Sequence, residues 1–320
     1  MNNNFKFIDL FCGLGGFRIA LEKQNCNCVF SSDIDKAVAQ VYENNFGEYP
    51  SGDITKIDSN EIPDFDILCG GFPCQSFSIA GKRLGFEDSR GTMFFEVARI
   101  LKEKKPKAFI LENVKGITNH DNGKTLETIL TILDGLGYTY VQKVINAKNI
   151  GIPQNRERWY CVGVRKDLNI KLDATKIFPT EQIASFTFDD IIDTSNIYKN
   201  YQISDICKSN IQKHIGKINE KTSKFTLAYE IRPSRCQFKT DGISPCLTAK
   251  MGTGGNNVPV VVELNRKLTE KECLKLMGYP ENYKIGNGSQ AYKQIGNSVI
   301  VPVLEQISKS LVNILKNETT

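Results

Sequence analysis

Short apolar runs alternate with amphipathic stretches through the first half of the chain. Phe5-Lys6-Phe7-Ile8-Asp9-Leu10-Phe11 reads as a buried strand that stops at Cys12-Gly13-Leu14-Gly15-Gly16. Phe17 to Lys23 then has helical spacing, with Phe17, Ala20 and Leu21 on one side. The same rhythm predicts strands over Asn27–Ser32, Phe65–Cys69, Lys107–Leu111, Tyr138–Ala147 and Trp159–Val164. Helices are expected over Lys36–Asn45, Met93–Glu103 and Leu126–Leu136. Strand and helix alternating at these intervals argue for an α/β fold, with a mostly parallel, doubly wound sheet and helices on both faces.

Two stretches break the rhythm. Ile79 to Thr92 holds Gly81, Gly85 and Gly91 beside Lys82, Arg83 and Arg90, with no apolar period, the texture of a lid, a binding loop or a disordered segment. From Phe178-Pro179 the chain turns polar and irregular, with short β-like runs and little helix, up to about residue 266. A helix follows over Leu268–Met277, with Thr269 as N-cap and Glu272 three residues on. An apolar helix from Val299 to Leu315 is expected to return to the first domain. The division that results is 1–185, a smaller and mainly β or irregular domain over 186–266, a hinge over 267–294, and a returning segment over 295–320.

Composition narrows the class. A 320-residue chain with 40% hydrophobic and 24% charged residues can bury a full core. No signal segment precedes the first strand and no apolar run approaches membrane length, so a cytosolic protein is expected. The ten cysteines show no paired metal-ligand spacing and, with only two histidines, read as reduced thiols. The net charge of +5 comes from 41 basic and 36 acidic residues that are interspersed, which permits a polyanionic partner without demanding one.

The candidate chemistry gathers at strand ends. After Phe65–Cys69, two glycines deliver Pro73-Cys74 into a polar loop, where Cys74 is either a nucleophile or a buried small residue; Cys69 should be core. The first glycine turn suits a bound nucleotide or a plain strand–helix turn. Asp33 and Asp35, about 20 residues on, suit a ribose hydroxyl or a helix N-cap. Asp53 faces a ligand base or caps a turn. Glu112, at the end of its strand, is a crevice carboxylate or a capping acid. Arg156 and Arg158 alternate into an incoming strand and should share one face, to hold an anion or to pair with surface acids. In the polar region, Arg232, Arg235 and the glycine loop from Gly252 suit groove contacts with nucleic acid or ordinary surface loops.

Six blocks recur in one order: Phe11-Cys12-Gly13-Leu14-Gly15-Gly16, Gly71-Phe72-Pro73-Cys74-Gln75-Ser76, Glu112-Asn113-Val114, Gln154-Asn155-Arg156-Glu157-Arg158, Leu268 to Pro280, and Gln290 to Val299. In these the sequence resembles the cytosine-C5 DNA methyltransferases of bacterial restriction–modification systems. The resemblance covers residues 5–165 and 266–310. It implies the Rossmann-like fold of S-adenosylmethionine-dependent methyltransferases, with residues 186–266 as a target-recognition domain. It implies S-adenosylmethionine as cofactor, leaving as S-adenosylhomocysteine, held by Phe11, Gly13, Leu14, Gly15, Gly16, Asp33, Ile34, Asp53, Ile54, Gly71, Pro73, Asn297 and Ser298. Asp33 stands where relatives often carry glutamate, Ile34 where an aromatic is common, and Cys12 where alanine or serine is common.

Catalysis by this resemblance falls to Cys74, Glu112, Arg156 and Arg158, on a cytosine flipped out of duplex DNA. Cys74 adds to C6, a protonated Glu112 bonds N3 and the exocyclic amine, and Arg158 holds O2. The segment from Ser76 to Thr92 closes over the DNA, with Ser78 and Arg90 as contacts. Arg232, Arg235, Thr248, Gly252, Gly254 and Gly255 lie on the DNA side. A monomer paired in function with a restriction endonuclease of the same specificity is implied. Three other readings compete: a nicotinamide-dependent oxidoreductase, which leaves Pro73-Cys74 and Glu112 without a role; a transfer-RNA cytosine-C5 methyltransferase, which the sizeable recognition region argues against; and a catalytically dead DNA-binding relative, against which stand Cys74, Glu112 and Arg158.

Overall fold

The structure, a computed structural model, describes residues 4–73, 93–181, 186–195, 199–254 and 257–317. Its chain gathers into two compact units: residues 1–145, 157–180 and 301–320 form the first, and residues 146–156 and 181–300 the second.

In the first unit, strands β1 (Lys6–Leu10), β2 (Asn27–Ser32), β3 (Ile67–Gly71), β4 (Ala108–Val114), β5 (Tyr138–Asn146) and β6 (Glu157–Arg165) form one sheet in the order β2-β1-β3-β4-β6-β5. Between them run α1 (Gly16–Glu22), α2 (Lys36–Phe46), α3 (Met93–Lys104) and α4 (Lys124–Gly135). β1 pairs parallel with β2 and with β3, and β3 parallel with β4. β6 runs against β4, so the sheet is mixed rather than wholly parallel. Period-two alternation sends Ile8, Leu10, Leu68 and Phe109 into the cluster formed with Phe94, Val97 and Leu101 of α3 and with Ile129 and Leu133 of α4. Phe7, Ile67, Cys69, Ala108 and Ile110 point to the other face and are equally buried, so both faces are covered. A sheet clothed on both sides is the arrangement that parallel strands require.

The second unit contains more helix than its polar texture suggests. It holds α5 (Asp205–Gln212), a four-stranded antiparallel sheet, α6 (Glu270–Leu276) and α7 (Ser289–Asn297). The sheet strands are β7 (Leu227–Tyr229), β8 (Gln237–Lys239), β9 (Val260–Val261) and β10 (Arg266–Lys267), in the order β10-β9-β7-β8. Cys207 and Ile211 of α5 seal Ala228, Ile231, Cys236 and Val260. The predicted capping box forms: Thr269 Oγ1 accepts from Glu272 N at 3.1 Å, and Glu272 Oε2 accepts from Thr269 N at 2.7 Å.

The helix expected from Val299 forms as α8 (Val301–Asn317), which returns to the first unit, and a further helix, α7, ends just before it at Asn297. There α8 packs on α1, and Lys23 Nζ meets Glu305 Oε2 at 2.8 Å. By length and composition Ser289–Asn317 passes as a membrane-crossing candidate, contrary to the expectation of no such run. Of its most apolar window, 61% is buried inside the protein, and a core helix of a soluble protein passes the same test.

Candidate active site

The parallel strands end in register. Leu10 lies opposite Ser32 on one side and Gly70 on the other, and Gly71 lies opposite Glu112. Connections leave β1 toward β2 on one side and later return to β3 on the other. The carboxyl ends of β1 and β3 therefore flank the point where strand order reverses, which is where open α/β sheets bind ligands.

At the end of β1 the backbone turns left-handed at Phe11 (φ 56°), Gly13 (φ 53°) and Gly15 (φ 70°). Gly15 answers to packing as well as to conformation. A Cβ there would lie 2.3 Å from the Phe46 ring, so only glycine lets the start of α1 rest on α2. The two acids after β2 divide the roles left open by the sequence. Asp35 caps α2, accepting from Ala37 N at 2.9 Å and Val38 N at 3.3 Å. Asp33 ties the end of β2 to the glycine turn, accepting from Gly13 N at 2.9 Å through one oxygen and from Asp35 N at 2.9 Å through the other. Burial pushes its carboxyl up, against those two backbone bonds. Ile34 beside it is 73% exposed, an apolar side chain with nothing over it. A part-buried acid, an uncovered apolar side chain and turn N–H groups fit a nucleoside-bearing cofactor. Asp53 caps the turn Ile54–Lys56 through Thr55 N at 3.1 Å, and hydrogen bonding from Thr55 lowers its carboxyl pKa. The Ile54 side chain lies in the core.

At the next strand ends, Glu112 and Arg158 meet. Because β6 is antiparallel, Arg158 at its start lies opposite Val114 at the end of β4. Its Nε stands 3.1 Å from Glu112 Oε1, with side chains 13% and 10% exposed. A carboxyl group and a guanidinium are thus held side by side at this edge. Gly71 leaves the space: a Cβ there would lie 3.3 Å from Glu112 Oε2. Pro73 is exposed just beyond. Cys74, Ser78, Arg90 and Gly255 lie outside the described residues.

Arg156 has other partners. It precedes β6, is 2% exposed, and its guanidinium bonds carbonyls of the second unit. Nη1 donates to Leu247 O at 2.5 Å, and Nη2 to Gly296 O at 3.1 Å and Ser298 O at 2.5 Å. A guanidinium engaged this way is a backbone clamp, serving carbonyls where an anion or surface acids were expected. Arg156 lies just outside the strand, which begins at Glu157. Asn297 is exposed at the end of α7, and Ser298 is buried. Thr248 is exposed, as are Arg232 and Arg235. Arg232 donates to Asn257 Oδ1 at 2.7 Å, and Arg235 pairs with Glu230 at 2.8 Å. Gly252 is fitted against α7, where a Cβ would lie 2.4 Å from Ser289 O, whereas Gly254 is open.

A family model described as C-5 cytosine-specific DNA methylase matches residues 5–313. The chain belongs to this family. It is 45% identical to the type II methyltransferase M.HhaI of Haemophilus parahaemolyticus, over 96% of this chain and 94% of that protein. To the type II methyltransferase M.HpaII of Haemophilus parainfluenzae it is 42% identical, over 99% and 92%. Among solved structures, a putative DNA modification methyltransferase encoded within an Escherichia coli prophage superposes with a TM-score of 0.72 at 21% identity, covering 98% of this chain and all of that one. A Spodoptera frugiperda DNMT2 variant matches with the same TM-score at 22% identity. These two likenesses show the fold. The family match favours neither the oxidoreductase nor the transfer-RNA reading.

Three further residues support the site of this C-5 cytosine methylase. Asn113, 2% exposed, donates from Nδ2 to Phe72 O at 2.7 Å, holding the backbone just before Pro73. Arg18 reaches from α1 to Glu48 at 2.8 Å and lies over the Phe46 ring at 4.7 Å, tying the glycine turn's helix to α2. Asp9 is fully buried beneath the turn, close to Arg18. Only Asn113, inside a quoted block, carried any signal in the sequence.

Proposed function

We propose that this protein transfers a methyl group from S-adenosylmethionine to C5 of a cytosine flipped out of a short specific sequence in duplex DNA. The observation that supports this most is the Glu112–Arg158 pair at the strand edge that also carries the glycine turn and Asp33, beside the backbone that leads to Cys74. The glycine turn with Phe11, Gly13, Leu14, Gly15 and Gly16 would hold the cofactor's polar end, Asp33 its ribose, and Ile34 its base. Asp53, Ile54, Gly71, Pro73, Asn297 and Ser298 are assigned to the same cofactor. When bound, the cofactor supplies an electrophilic methyl on a sulfonium.

Cytosine C5 is a poor nucleophile until a group adds at C6. The Cys74 thiolate forms a bond to C6, and the electron pair released toward N3 meets Glu112, which gives it a proton. Arg158 holds O2. The enamine makes C5 the nucleophile, to which the bound cofactor would supply its methyl, with S-adenosylhomocysteine as the group left behind. A base takes the C5 proton, the Cys74 thiolate departs by β-elimination, and N3 returns its proton to Glu112. Thr248, Arg232, Arg235 and the glycines of 252–255 are assigned to the DNA, with Ser78 and Arg90. The protein is expected to act in the cytoplasm as a monomer, sparing DNA from a restriction endonuclease of the same specificity.

Tritiated methyl from S-adenosylmethionine should become acid-stable on duplex DNA, and Cys74→Ser should abolish it. Full activity in that variant would sink the covalent route. DNA containing 5-fluorocytosine should trap a covalent complex, since the fluorine cannot leave as a proton. Bisulfite sequencing of a co-expressed plasmid would then read the recognised motif.

A further inference from the structure

We infer that Arg156 is a positioning residue that ties the segment Leu247–Thr253 to Gly296–Ser298, so that DNA binding and cofactor binding are coupled through it. The inference rests on the proposed function, which assigns Thr248 and Gly252 to DNA and Asn297 and Ser298 to the cofactor.

Within the second unit these two segments touch backbone to backbone. A Cβ on Gly296 would lie 2.1 Å from the Thr248 carbonyl carbon and 2.3 Å from Ala249 N. At the other end, one on Gly252 would lie 2.4 Å from Ser289 O and 2.5 Å from Lys293 Cβ. No side chain fits between the strip and α7, so neither slides on the other without losing its packing. The guanidinium of Arg156 fastens the end of this contact. It is buried, and its donors serve Leu247 O on one segment and both Gly296 O and Ser298 O on the other. Gln154 Oε1 accepts from Leu247 N at 3.1 Å, so Leu247 is held at its N–H and its C=O together.

Chemistry selects arginine here. Its planar fork offers donors in fixed divergent directions, which an ammonium on a flexible stem does not reproduce. The charge cannot be shed, so moving Leu247 away from Gly296 and Ser298 strands a buried cation. Thr248 follows Leu247 directly, and Asn297 lies between the two clamped carbonyls. A displacement of Thr248 on meeting DNA therefore reaches Asn297 through one side chain.

The test measures S-adenosylhomocysteine affinity by calorimetry on the full chain, free and saturated with a duplex carrying the motif mapped by bisulfite sequencing. In the wild type, DNA should tighten binding by about fivefold or more. In Arg156→Lys the ratio should fall to within about twofold of one, while binding to the DNA-free protein persists. A wild-type ratio of one, or an unchanged ratio in Arg156→Lys, overturns the coupling. Absence of any S-adenosylhomocysteine binding by the wild type sinks the cofactor reading itself. Hydrogen exchange on the wild type needs no variant: S-adenosylhomocysteine alone should slow amides of Leu247–Thr253, and unaltered exchange there also overturns the inference.

Discussion

Arg158 Nε stands 3.1 Å from Glu112 Oε1 because β6 runs antiparallel to β4 and so brings a strand start beside a strand end. In a wholly parallel sheet, a residue at the start of its strand would sit at the opposite edge. One reversed strand thus supplies the crevice with a cation that the parallel strands do not.

The pair should behave as a unit in catalysis. Glu112→Gln and Arg158→Ala are each expected to slow methyl transfer by about 10²–10³-fold, the usual cost of removing one charge-stabilising group. Both changes together should cost little more than either alone. Single-turnover transfer of labelled methyl to duplex DNA measures this, and losses that simply multiply would contradict it.

Gly15→Ala should destabilise the protein by about 1–3 kcal/mol, since it meets both a left-handed backbone and the Phe46 ring. Combining it with Phe46→Ala should return the steric part and leave the backbone strain. Urea unfolding of the double-mutant cycle separates the two, and strictly additive losses would show that the ring is not the obstacle.

Burial raises the Asp9 carboxyl well above its ordinary range, with Arg18 opposing only in part. The folded state therefore keeps a proton that the unfolded chain releases above about pH 4. Stability at this site is fully present below that pH and declines as pH rises toward the folded value. Asp9→Asn, which carries no charge, should remove the decline. Its melting temperature should gain on the wild type progressively from about pH 4 upward. A difference between the two proteins that stays constant with pH would refute this.

In the second unit, Arg266 grips Glu272 through two nitrogens at 2.7 and 2.9 Å, both side chains almost fully enclosed. Glu272→Ala leaves the cation without its counter-charge and should cost about 3–5 kcal/mol. Replacing both by Met should recover much of that loss. Denaturant titration followed by circular dichroism reads both, and a double variant as weak as the single one would argue against the pair.

Local pattern made much of this protein readable. The alternation of strand and helix, the burial of Cys69, the capping box at Thr269 and the placing of Glu112 at a strand end all follow from period, turn chemistry and chain direction. The family was readable because six blocks each carry several residues in fixed order. What escaped was set by distant neighbours. The direction of β6 is invisible in Trp159–Val164, since an apolar run pairs either way. α5 and α7 are short and mostly polar, and bury only a few residues, such as Cys207 and Ile211 or Ala291, Tyr292 and Ile295. Arg156 looked like its neighbour Arg158 because nothing near it reveals carbonyls 91, 140 and 142 residues further along the chain.

The seat of α8 on α1 has a consequence for the making of the protein. The first unit is assembled from three separate lengths of chain, and the ion pair between Lys23 and Glu305 spans 282 residues. On the ribosome, at about 5–20 residues per second, α1 emerges tens of seconds or less before its cover is translated. Through that interval its apolar face is open to water and to other nascent chains. The enzyme's yield in a cell should therefore depend on chaperone supply and on translation rate more steeply than its finished stability would suggest.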